Sequence, residues 1–306
     1  MAAVNLPVSS AFLTTPALGV FWYVCMAFYY AKANPAESAV AIVGMPLDRT
    51  SSFNSGTRFG PAMTRIGADN IESFSPYLKR DICAAMVHDW GDMEFRFDGA
   101  DTPLAMIADM THSNHAAGRR QLAIGGEHTI TVPIIGELAK VYPDLCVIHY
   151  DAHSDLRDEY LGERVCHATA MRRVLDSIPR GRLFQLGIRS FSEAGEMTAP
   201  GVFPFEVTAP VAHVRSAVGA RPTYVTLDVD VLDSGTMPDV QTPEPGGCSY
   251  TELARSLAGL DGLHIVGCDI VEICPRTIQP SAGAALAAEL VRELALLLAG
   301  HRSESE

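Results

Sequence analysis

The sequence predicts an α/β protein with three layers, αβα, in which helices cover both faces of a mostly parallel sheet. Short apolar runs of strand length alternate with segments of helical periodicity along most of the chain, and such alternation is typical of parallel sheets. No Pro/Gly/Ser-rich linker, repeat or low-complexity stretch interrupts it. Several apolar runs also end in acidic residues and histidines, at the sheet edge where sites form in such folds.

Six strands are predicted in chain order, because each is a short apolar run. They are Ala39–Met45, Gln121–Ile124, Leu145–Tyr150, Leu183–Ile188, Thr223–Leu227 and His264–Ile270. Helical patterns separate them, at Thr102–Arg119, Val132–Val141, Ala168–Ser177, Val211–Ala217 and Tyr250–Leu260. A last helix over Ala282–Leu298 carries Glu289, Arg292 and Glu293 and is predicted to be amphipathic.

The chain has 306 residues, which suggests two domains at roughly 150 residues each. The unbroken alternation of elements favours one catalytic domain over residues 36–300 instead. Residues 1–35 form an apolar leader, in which no side chain from Met1 to Ala31 is charged. Its apolar run Leu18–Tyr30 is shorter than the roughly 20 residues of a membrane span, and no positive region precedes it as in a signal peptide.

We therefore expect the leader to pack on the protein or on a neighbouring subunit. A membrane role for the leader and a true start at Met26 are the alternative interpretations. Residues 301–306 are predicted to be a polar tail.

Composition narrows the function. The net charge of −13 and the pI near 5.2 argue against a protein that binds nucleic acid, which needs a basic face, but they permit a cationic small molecule. The hydrophobic fraction of 48% excludes a disordered chain. Seven scattered cysteines with no CxxC pair predict reduced thiols in a cytoplasmic protein rather than disulfides or a zinc knuckle.

Four predicted strands run directly into acidic or histidine clusters. Alternate residues at a strand end share one face, so Asp151, His153 and Asp155 can point to the same place, as can Asp228 and Asp230. The clusters are Gly125-Gly126-Glu127-His128, Asp151–Asp155, Asp228-Val229-Asp230 and Val271-Glu272. The first three clusters together supply two imidazoles and four carboxylates.

Four carboxylates crowded together would repel each other and would have to take up protons unless cations were present. Two divalent ions, roughly 3.5–4 Å apart, relieve this repulsion and form a two-metal hydrolytic site. Ligation rich in oxygen, with only two histidines, favours Mn²⁺ over Zn²⁺.

At these residues the sequence resembles the ureohydrolase family, the arginases and agmatinases, and most of all the agmatinases. The matching motifs are GGEH at Gly125–His128, DAHSD at Asp151–Asp155, DVDVLD at Asp228–Asp233, Val271-Glu272 followed by Pro275, and GMPLDRTSSFNSGTRFGP at Gly44–Pro61. They occur in family order from about residue 40 to 290. The resemblance implies an arginase-like fold and hydrolysis of a guanidino compound to urea and an amine, with agmatine as the first choice.

The resemblance also implies a role for each site residue. One Mn²⁺ would be held by His128, Asp151, Asp155 and Asp228, and a second Mn²⁺ in the same subunit by Asp151, His153, Asp228 and Asp230. Asp155 would also orient the nucleophile, Glu272 would pair with the guanidinium, and His167 would carry a proton to the leaving amine. A structural ion pair for Glu272 and a helix-capping or surface position for His167 are the alternatives.

Substrate identity rests on the loop after the DAHSD motif. It lacks the elements with which arginases bind an α-amino acid, and its acidic Asp158, Glu159 and Glu163 are compatible with the ammonium of agmatine. The chain departs from the agmatinase pattern at Asn54, Ser234, Met237 and Asp239, where Asp239 replaces a loop glycine.

Three other functions stay open at this point. They are hydrolysis of another guanidino compound such as guanidinobutyrate or arginine, a one-zinc deacetylase on the same fold, and a non-catalytic regulatory protein. The resemblance further implies a homo-trimer or homo-hexamer in the cytoplasm with a small-molecule guanidino substrate, and no nucleic acid or membrane partner.

Overall fold

A single parallel sheet of eight strands forms the middle layer of the computed structural model, which describes residues 27–96, 98–99, 101–277 and 279–300. The sheet order is β4-β1-β5-β10-β9-β6-β7-β8, and every neighbouring pair is parallel. A small antiparallel pair, β2 and β3, lies outside it. The strands are β1 (Val40–Met45), β2 (Phe74–Ser75), β3 (Arg80–Asp81), β4 (Val87–Asp92), β5 (Arg120–Gly125), β6 (Cys146–Tyr150), β7 (Leu183–Leu186), β8 (Val202–Phe203), β9 (Thr223–Asp228) and β10 (Ile265–Val271).

Helices cover both faces of this sheet and give it two separate apolar cores. The helices are α1 (Gly60–Gly67), α2 (Thr102–Ala116), α3 (Thr131–Val141), α4 (Ala170–Val174), α5 (Val211–Val218), α6 (Tyr250–Ala258) and α7 (Ala282–Ala299). One core contains side chains of α5, α6 and α7, and the other contains side chains of α2, α3 and α4. Successive strand residues alternate between them: Ile42 and Leu122 face the first core, while Val43 and Ala123 face the second. The three-layer prediction is confirmed.

All six predicted strands are present, and two further strands lie at the edges of the sheet. Strand β4 has the sequence VHDWGD. Four of its residues, His88, Trp90, Gly91 and Asp92, are partly or fully exposed because the outer side of an edge strand has no neighbour, whereas Asp89 is buried. Strand β8 has two residues and no apolar run of its own. Edge strands are therefore hard to predict from sequence, because a continuous apolar run is expected only in a strand that is buried on both faces.

Helix α7 corrects one expectation. It was predicted to be amphipathic, yet its charged residues Arg292 and Glu293 are both buried. They pair with each other at 2.8 Å, and Glu293 accepts a hydrogen bond from Ser75 Oγ at 2.6 Å. The charges therefore satisfy each other inside the protein instead of marking a solvent face.

The apolar leader is described from residue 27 onward. Phe28 and Tyr30 are buried, and the Phe28 amide donates to Asp89 Oδ2 at 3.2 Å. Residues 1–26 of the predicted leader and the tail 301–306 lie outside the described residues, so the domain boundaries stay predictions. Within the part of the chain that the structure describes, no helix has the length and apolar character to cross a membrane.

Helices α1 and α7 approach each other closely at Gly67. A Cβ atom on Gly67 would lie 2.1 Å from the carbonyl oxygen of Ala284 and 2.7 Å from the amide nitrogen of Ala285. We expect Gly67→Ala to force the helices apart, with a cost of about 1–3 kcal/mol typical of overpacking. Thermal unfolding should show a melting temperature lowered by several degrees.

Gly136→Ala is the matched control, because Gly136 lies inside α3 and its nearest neighbouring atom is 4.0 Å from the added carbon. Alanine in a helix interior is favoured over glycine by about 1 kcal/mol, so this variant should melt at or above the wild-type temperature. Equal melting temperatures for the two variants would contradict the close approach at Gly67.

Candidate metal centre

The predicted site residues come together at the carboxyl edge of the sheet. Strands β5, β10, β9 and β6 are neighbours in its centre, and parallel strands end at the same edge, so the segments that follow them converge. These are the four strands that precede the acidic and histidine clusters. The side chains brought together are His128, Asp151, His153, Asp155, Asp228, Asp230 and Glu272.

His128 lies at the centre of the first group. Its Nδ1 atom is 3.2 Å from Asp151 Oδ2, 3.2 Å from Asp155 Oδ2 and 3.4 Å from Asp228 Oδ2. The ring is buried, and among the described residues Nδ1 has no well-aligned hydrogen-bond partner. A buried nitrogen that faces three carboxylates without bonding to one of them is the arrangement that a metal ion would complete.

His153 forms a second group with two carboxylates. Its Nδ1 atom is 2.8 Å from Asp230 Oδ2 and 3.5 Å from Asp151 Oδ1. Asp151 therefore belongs to both groups. Ligand atoms of His128, His149, Asp151 and Asp155 lie within 4.8 Å of one another, as do those of Asp151, His153 and Asp230, and both sets could hold a metal ion.

Burial and the crowding of carboxylates shift the pKa values of several groups in this cluster. Burial and then the nearby Asp230 and Asp151 carboxylates raise the pKa of Asp228 well above its ordinary value. Burial would lower the pKa of His128 and of His153, but the surrounding carboxylates raise both well above the ordinary value. Burial would raise the pKa of Asp151, but His149, His128 and His153 lower it well below its ordinary value. These directions are the ones expected of carboxylates and histidines crowded together without a metal cation.

A threonine and a buried carboxylate orient His128. Thr226 Oγ1 donates to Asp269 Oδ1 at 2.6 Å, so it accepts from His128 Nε2–H at 2.9 Å. In the neutral ring the lone pair is therefore on Nδ1, which faces Asp151, Asp155 and Asp228. Asp269 also accepts from Thr131 and Tyr224. Sequence reasoning missed Thr226 and Asp269, although a charged residue inside the apolar run HIVGCDI was a usable signal.

His149 orients Asp151 in a comparable way and was also missed. Arg180 donates to Gln185 Oε1 and Gln185 Nε2 donates to the Ser154 carbonyl, which fixes the direction of the Gln185 amide. Gln185 Nε2 then faces His149 Nδ1 at 3.1 Å. His149 must carry its hydrogen on Nε2, which donates to Asp151 Oδ2 at 2.7 Å.

Two site residues adopt the left-handed backbone region. Asp155 has φ 52° and Glu272 has φ 66°, a conformation uncommon for residues other than glycine. Such strained positions are often found at functional sites. The sequence carries no signal for them.

A cleft of about 150 Å³ opens onto the cluster. Asp155, Asp228 and Glu272 lie in its lining together with His153 and His167; the other lining residues are Ser52, Ser154, Arg157, Tyr160, Ala168, Ser190, Phe191, Ser192 and Thr242. All three acidic lining residues are buried. The cleft lining therefore combines three buried carboxyl groups with the exposed Arg157.

Glu272 combines a held and a free oxygen. Its Oε1 atom accepts from the His128 amide at 2.6 Å, whereas Oε2 is buried with no partner among the described residues. Burial and the nearby Glu127 carboxylate raise the pKa of Glu272 well above its ordinary value. An incoming cation would restore the charged form and give Oε2 a partner.

His167 is held on both ring nitrogens. Thr50 Oγ1 donates to the buried Glu127 carboxylate at 2.9 Å, so it accepts from His167 Nδ1–H at 3.1 Å. The other nitrogen, Nε2, lies 3.1 Å from Ser52 Oγ. Burial lowers the pKa of His167, so the ring is neutral at pH 7 and its basic nitrogen is on the Ser52 side.

The altered loop supports the fold beside the site. Asp239, which replaces a loop glycine, is not among the described non-glycine residues with positive φ. Its carboxylate accepts from Ser281 Oγ at 2.9 Å and from the Arg276 amide at 3.3 Å, which attaches the loop to the start of α7. Asn54 Nδ2 donates to the Val240 carbonyl at 3.3 Å. The departures therefore change packing and leave the ligand cluster intact.

The pKa shifts predict how stability depends on pH in metal-free protein. His128 and His153 have raised pKa values when folded, so the stability they contribute is present below pH 6.5 and is lost as pH rises through the folded pKa. The raised pKa of Asp228 acts in the same direction above pH 3.8. We expect the melting temperature of chelator-treated protein to fall as the pH rises above about 6.5.

Asp228→Asn is the control for this pH series, because it keeps the shape of the side chain and removes a titrating carboxylate. Its melting temperature should fall less steeply over the same range. Saturating Mn²⁺ should stabilise the wild type most at the upper end, since metal ions replace protons there. A metal-free wild-type melting temperature that rises with pH would contradict the charge balance described above.

Known proteins match nearly the whole chain. The family model described as the Arginase family matches residues 38–297. The chain is 38% identical over 276 residues to an agmatinase of Bacillus anthracis, a match that covers 87% of this chain and 95% of the relative. It is 30% identical to the mitochondrial guanidino acid hydrolase of Homo sapiens, with 95% and 86% covered.

Among solved structures, the agmatine ureohydrolase of Thermoplasma volcanium superposes with a TM-score of 0.77 at 28% identity, covering 90% of this chain and 94% of that one. The sequence comparisons and the structural superposition thus indicate the same family as the motifs at the carboxyl edge of the sheet. The chain belongs to the arginase family and is a guanidino hydrolase most like the agmatinases.

Proposed function

We propose that this protein is a binuclear manganese hydrolase that cleaves agmatine to putrescine and urea. The observation that carries the proposal is the buried Nδ1 of His128, which faces three carboxylates and has no well-aligned hydrogen-bond partner among the described residues. Two of these carboxylates, Asp155 and Asp228, line a cleft together with Glu272. A cation-binding centre and a guanidinium-binding carboxylate thus lie side by side. The similarity to an agmatinase at 38% identity supports agmatine as the substrate.

Six side chains would hold the metal ions. His128, Asp151, Asp155 and Asp228 would hold one Mn²⁺, and Asp151, His153, Asp228 and Asp230 would hold the other, so Asp151 and Asp228 would serve both ions. The donor set fits, since it offers two imidazole nitrogens and four carboxylates. When bound, the ions lower the pKa of a water molecule and supply hydroxide at neutral pH.

Glu272 would hold the substrate. A guanidinium is planar and cationic, and it forms charge-assisted hydrogen bonds with a carboxylate. Within the described residues Glu272 Oε2 has no hydrogen-bond partner, so it is available for such a bond, while Oε1 is fixed by the His128 amide. This fixed geometry would place the guanidinium carbon for attack. Asp155 would accept the hydrogen of the nucleophile and aim it.

His167 would carry the proton to the leaving amine. The ring is neutral at pH 7 because burial lowers its pKa, so it can accept a proton and pass it on. Thr50 fixes the hydrogen on Nδ1, which leaves Nε2 as the basic atom beside Ser52. His167 lines the same cleft as Asp155 and Glu272.

A guanidino acid is the second candidate substrate. Asp158, one of the acidic loop residues expected to favour an ammonium group, is paired with Arg173 at 2.6 Å, whereas Arg157 lines the cleft. An arginine in the cleft lining would favour a substrate with a carboxylate at the end opposite its guanidinium. The human relative is a guanidino acid hydrolase. The trimeric or hexameric assembly and the cytoplasmic location stay predictions.

Urea release separates the two candidates. Purified protein loaded with Mn²⁺ should release urea from agmatine faster than from 4-guanidinobutyrate or arginine. Strong release from a guanidino acid with little from agmatine would replace the first candidate by the second. No urea from any of these compounds would contradict the proposed hydrolysis.

Two substitutions distinguish metal binding from proton transfer. Asp228→Ala should lose both metal ions and activity, because Asp228 is a proposed bridging ligand. His167→Ala should keep the metal ions and lose most turnover, about 10²-fold or more for a lost acid–base group. Metal content by elemental analysis and initial rates of urea release are the measurements.

His213→Ala and Asp176→Ala are the controls, since both residues are exposed and neither lines the cleft. Both should behave as wild type. Wild-type turnover in His167→Ala would remove its proton-transfer role.

A further inference from the structure

Arg189 donates hydrogen bonds to an unusual number of backbone carbonyls. Its Nη2 atom lies 2.7 Å from the Asp230 carbonyl, 2.8 Å from that of Glu244 and 3.3 Å from that of Leu232. Nη1 and Nε contact three more, at distances between 3.0 and 3.4 Å, which belong to Val231, Gly187 and Pro245. Six carbonyls thus converge on one guanidinium.

These carbonyls belong to three segments around the metal centre. Gly187 follows β7, residues 230–232 follow β9, and residues 244–245 lie in the loop whose Glu244 carboxylate is 3.9 Å from His153 Nε2. The backbone of Arg189 is bound to a fourth segment, because its amide donates to the Ala152 carbonyl at 2.8 Å. Ala152 lies between Asp151 and His153.

Arg189 therefore connects the two ligand segments on the His153 side. The Ala152 amide donates to Asp230 Oδ1 at 3.0 Å, so the same segments also contact each other directly. The Asp230 amide donates to Asp228 Oδ1 at 2.9 Å. A shift of the turn over Val229–Val231 would consequently move both aspartates, and the Arg189 side chain holds the carbonyl side of that turn.

A guanidinium suits this position for an electrostatic reason. Six carbonyl dipoles directed at one point repel each other unless a cation with several donors lies between them. Arginine offers five N–H donors in a rigid plane, whereas lysine offers three on a flexible stem. The substitution Arg189→Lys would keep the positive charge but leave several of these carbonyls without a hydrogen-bond donor.

We infer that Arg189 is a positioning residue for the His153/Asp230 half of the metal centre. It acts through the backbone of Asp230 and through Ala152; among the described residues its side chain donates to backbone carbonyls and to none of the ligand atoms. This inference rests on the proposed two-metal function. It predicts that removing the Arg189 side chain weakens the His153/Asp230 site more than the His128 site, because Arg189 binds the turn that carries Asp230 directly and reaches the His128 site only through Asp228.

Arg215 provides a matched control. Like Arg189 it is half-buried and donates to backbone carbonyls, those of Gly259 at 2.7 Å and Asp261 at 2.6 Å, but it lies in α5 and not at the ligand cluster. Both Arg→Ala variants therefore remove a guanidinium from carbonyl acceptors. A loss of general stability should be common to both, whereas a selective loss of one metal should not.

The test is a Mn²⁺ titration of chelator-treated protein, with unbound Mn²⁺ followed by electron paramagnetic resonance. Wild type and Arg215→Ala should each bind two ions per chain, and the affinity of each site should be the same in the two proteins. In Arg189→Ala the affinity of one site should fall about 10–100-fold, as for other residues that orient metal ligands. Arg189→Lys should recover part of this loss. The melting temperature of each metal-free variant shows whether it is folded.

The possible outcomes separate the two proposals. The role of Arg189 would be overturned if both sites of Arg189→Ala bound Mn²⁺ with wild-type affinity, or if both sites lost Mn²⁺ affinity equally. Either result would leave the two-metal centre in place. If Arg189→Ala does not fold, the ratio of the two affinities in Arg189→Lys decides in the same way. Failure of the wild type to bind two ions would overturn the proposed metal centre, and the role of Arg189 with it.

Discussion

Buried negative charge at the carboxyl edge of the sheet is the constraint on which the rest of the site depends. Asp228 and Asp230 are both buried, and each has one oxygen held by a backbone amide. The second oxygen of each faces a histidine. The fold thus fixes the carboxylates through the main chain and leaves one oxygen of each for a cation. Strands, turns and helix starts serve to hold this charge in place against its own repulsion.

The polar residues around the site share one role, because their hydrogen bonds fix which ring nitrogen of each histidine carries the hydrogen. Thr226 on Asp269 fixes the hydrogen of His128, and Thr50 on Glu127 fixes that of His167. Gln185 does the same for His149. In each case a neutral donor or acceptor is itself fixed by a charged group or a backbone carbonyl. Metal affinity and proton transfer both require a defined tautomer, so these partners matter as much as the residues they orient.

Much of this arrangement could be predicted from sequence because strand ends in a parallel sheet share one edge. The residues proposed as ligands follow apolar runs that are easy to recognise, and the structure brings them together. The edge strand β4 and the short helix α1 carry no such pattern, since one is partly exposed and the other has eight residues. The positive φ of Glu272 and the contacts of Arg189 depend on residues far apart in sequence, and local patterns do not contain them.

The order of strands also has a consequence for how the chain reaches its native state. Of the strands in the described residues, β10 is the last along the chain, yet it lies between β5 and β9 in the middle of the sheet. Until it is made, the two halves of the sheet have no shared strand, and each exposes an unpaired apolar edge that invites aggregation. Long-range pairing of this kind is slow. Glu272 follows β10 directly, so the carboxylate proposed to bind the substrate reaches its position in the same event that joins the two halves. On that proposal a nascent chain is inactive until the fold is complete.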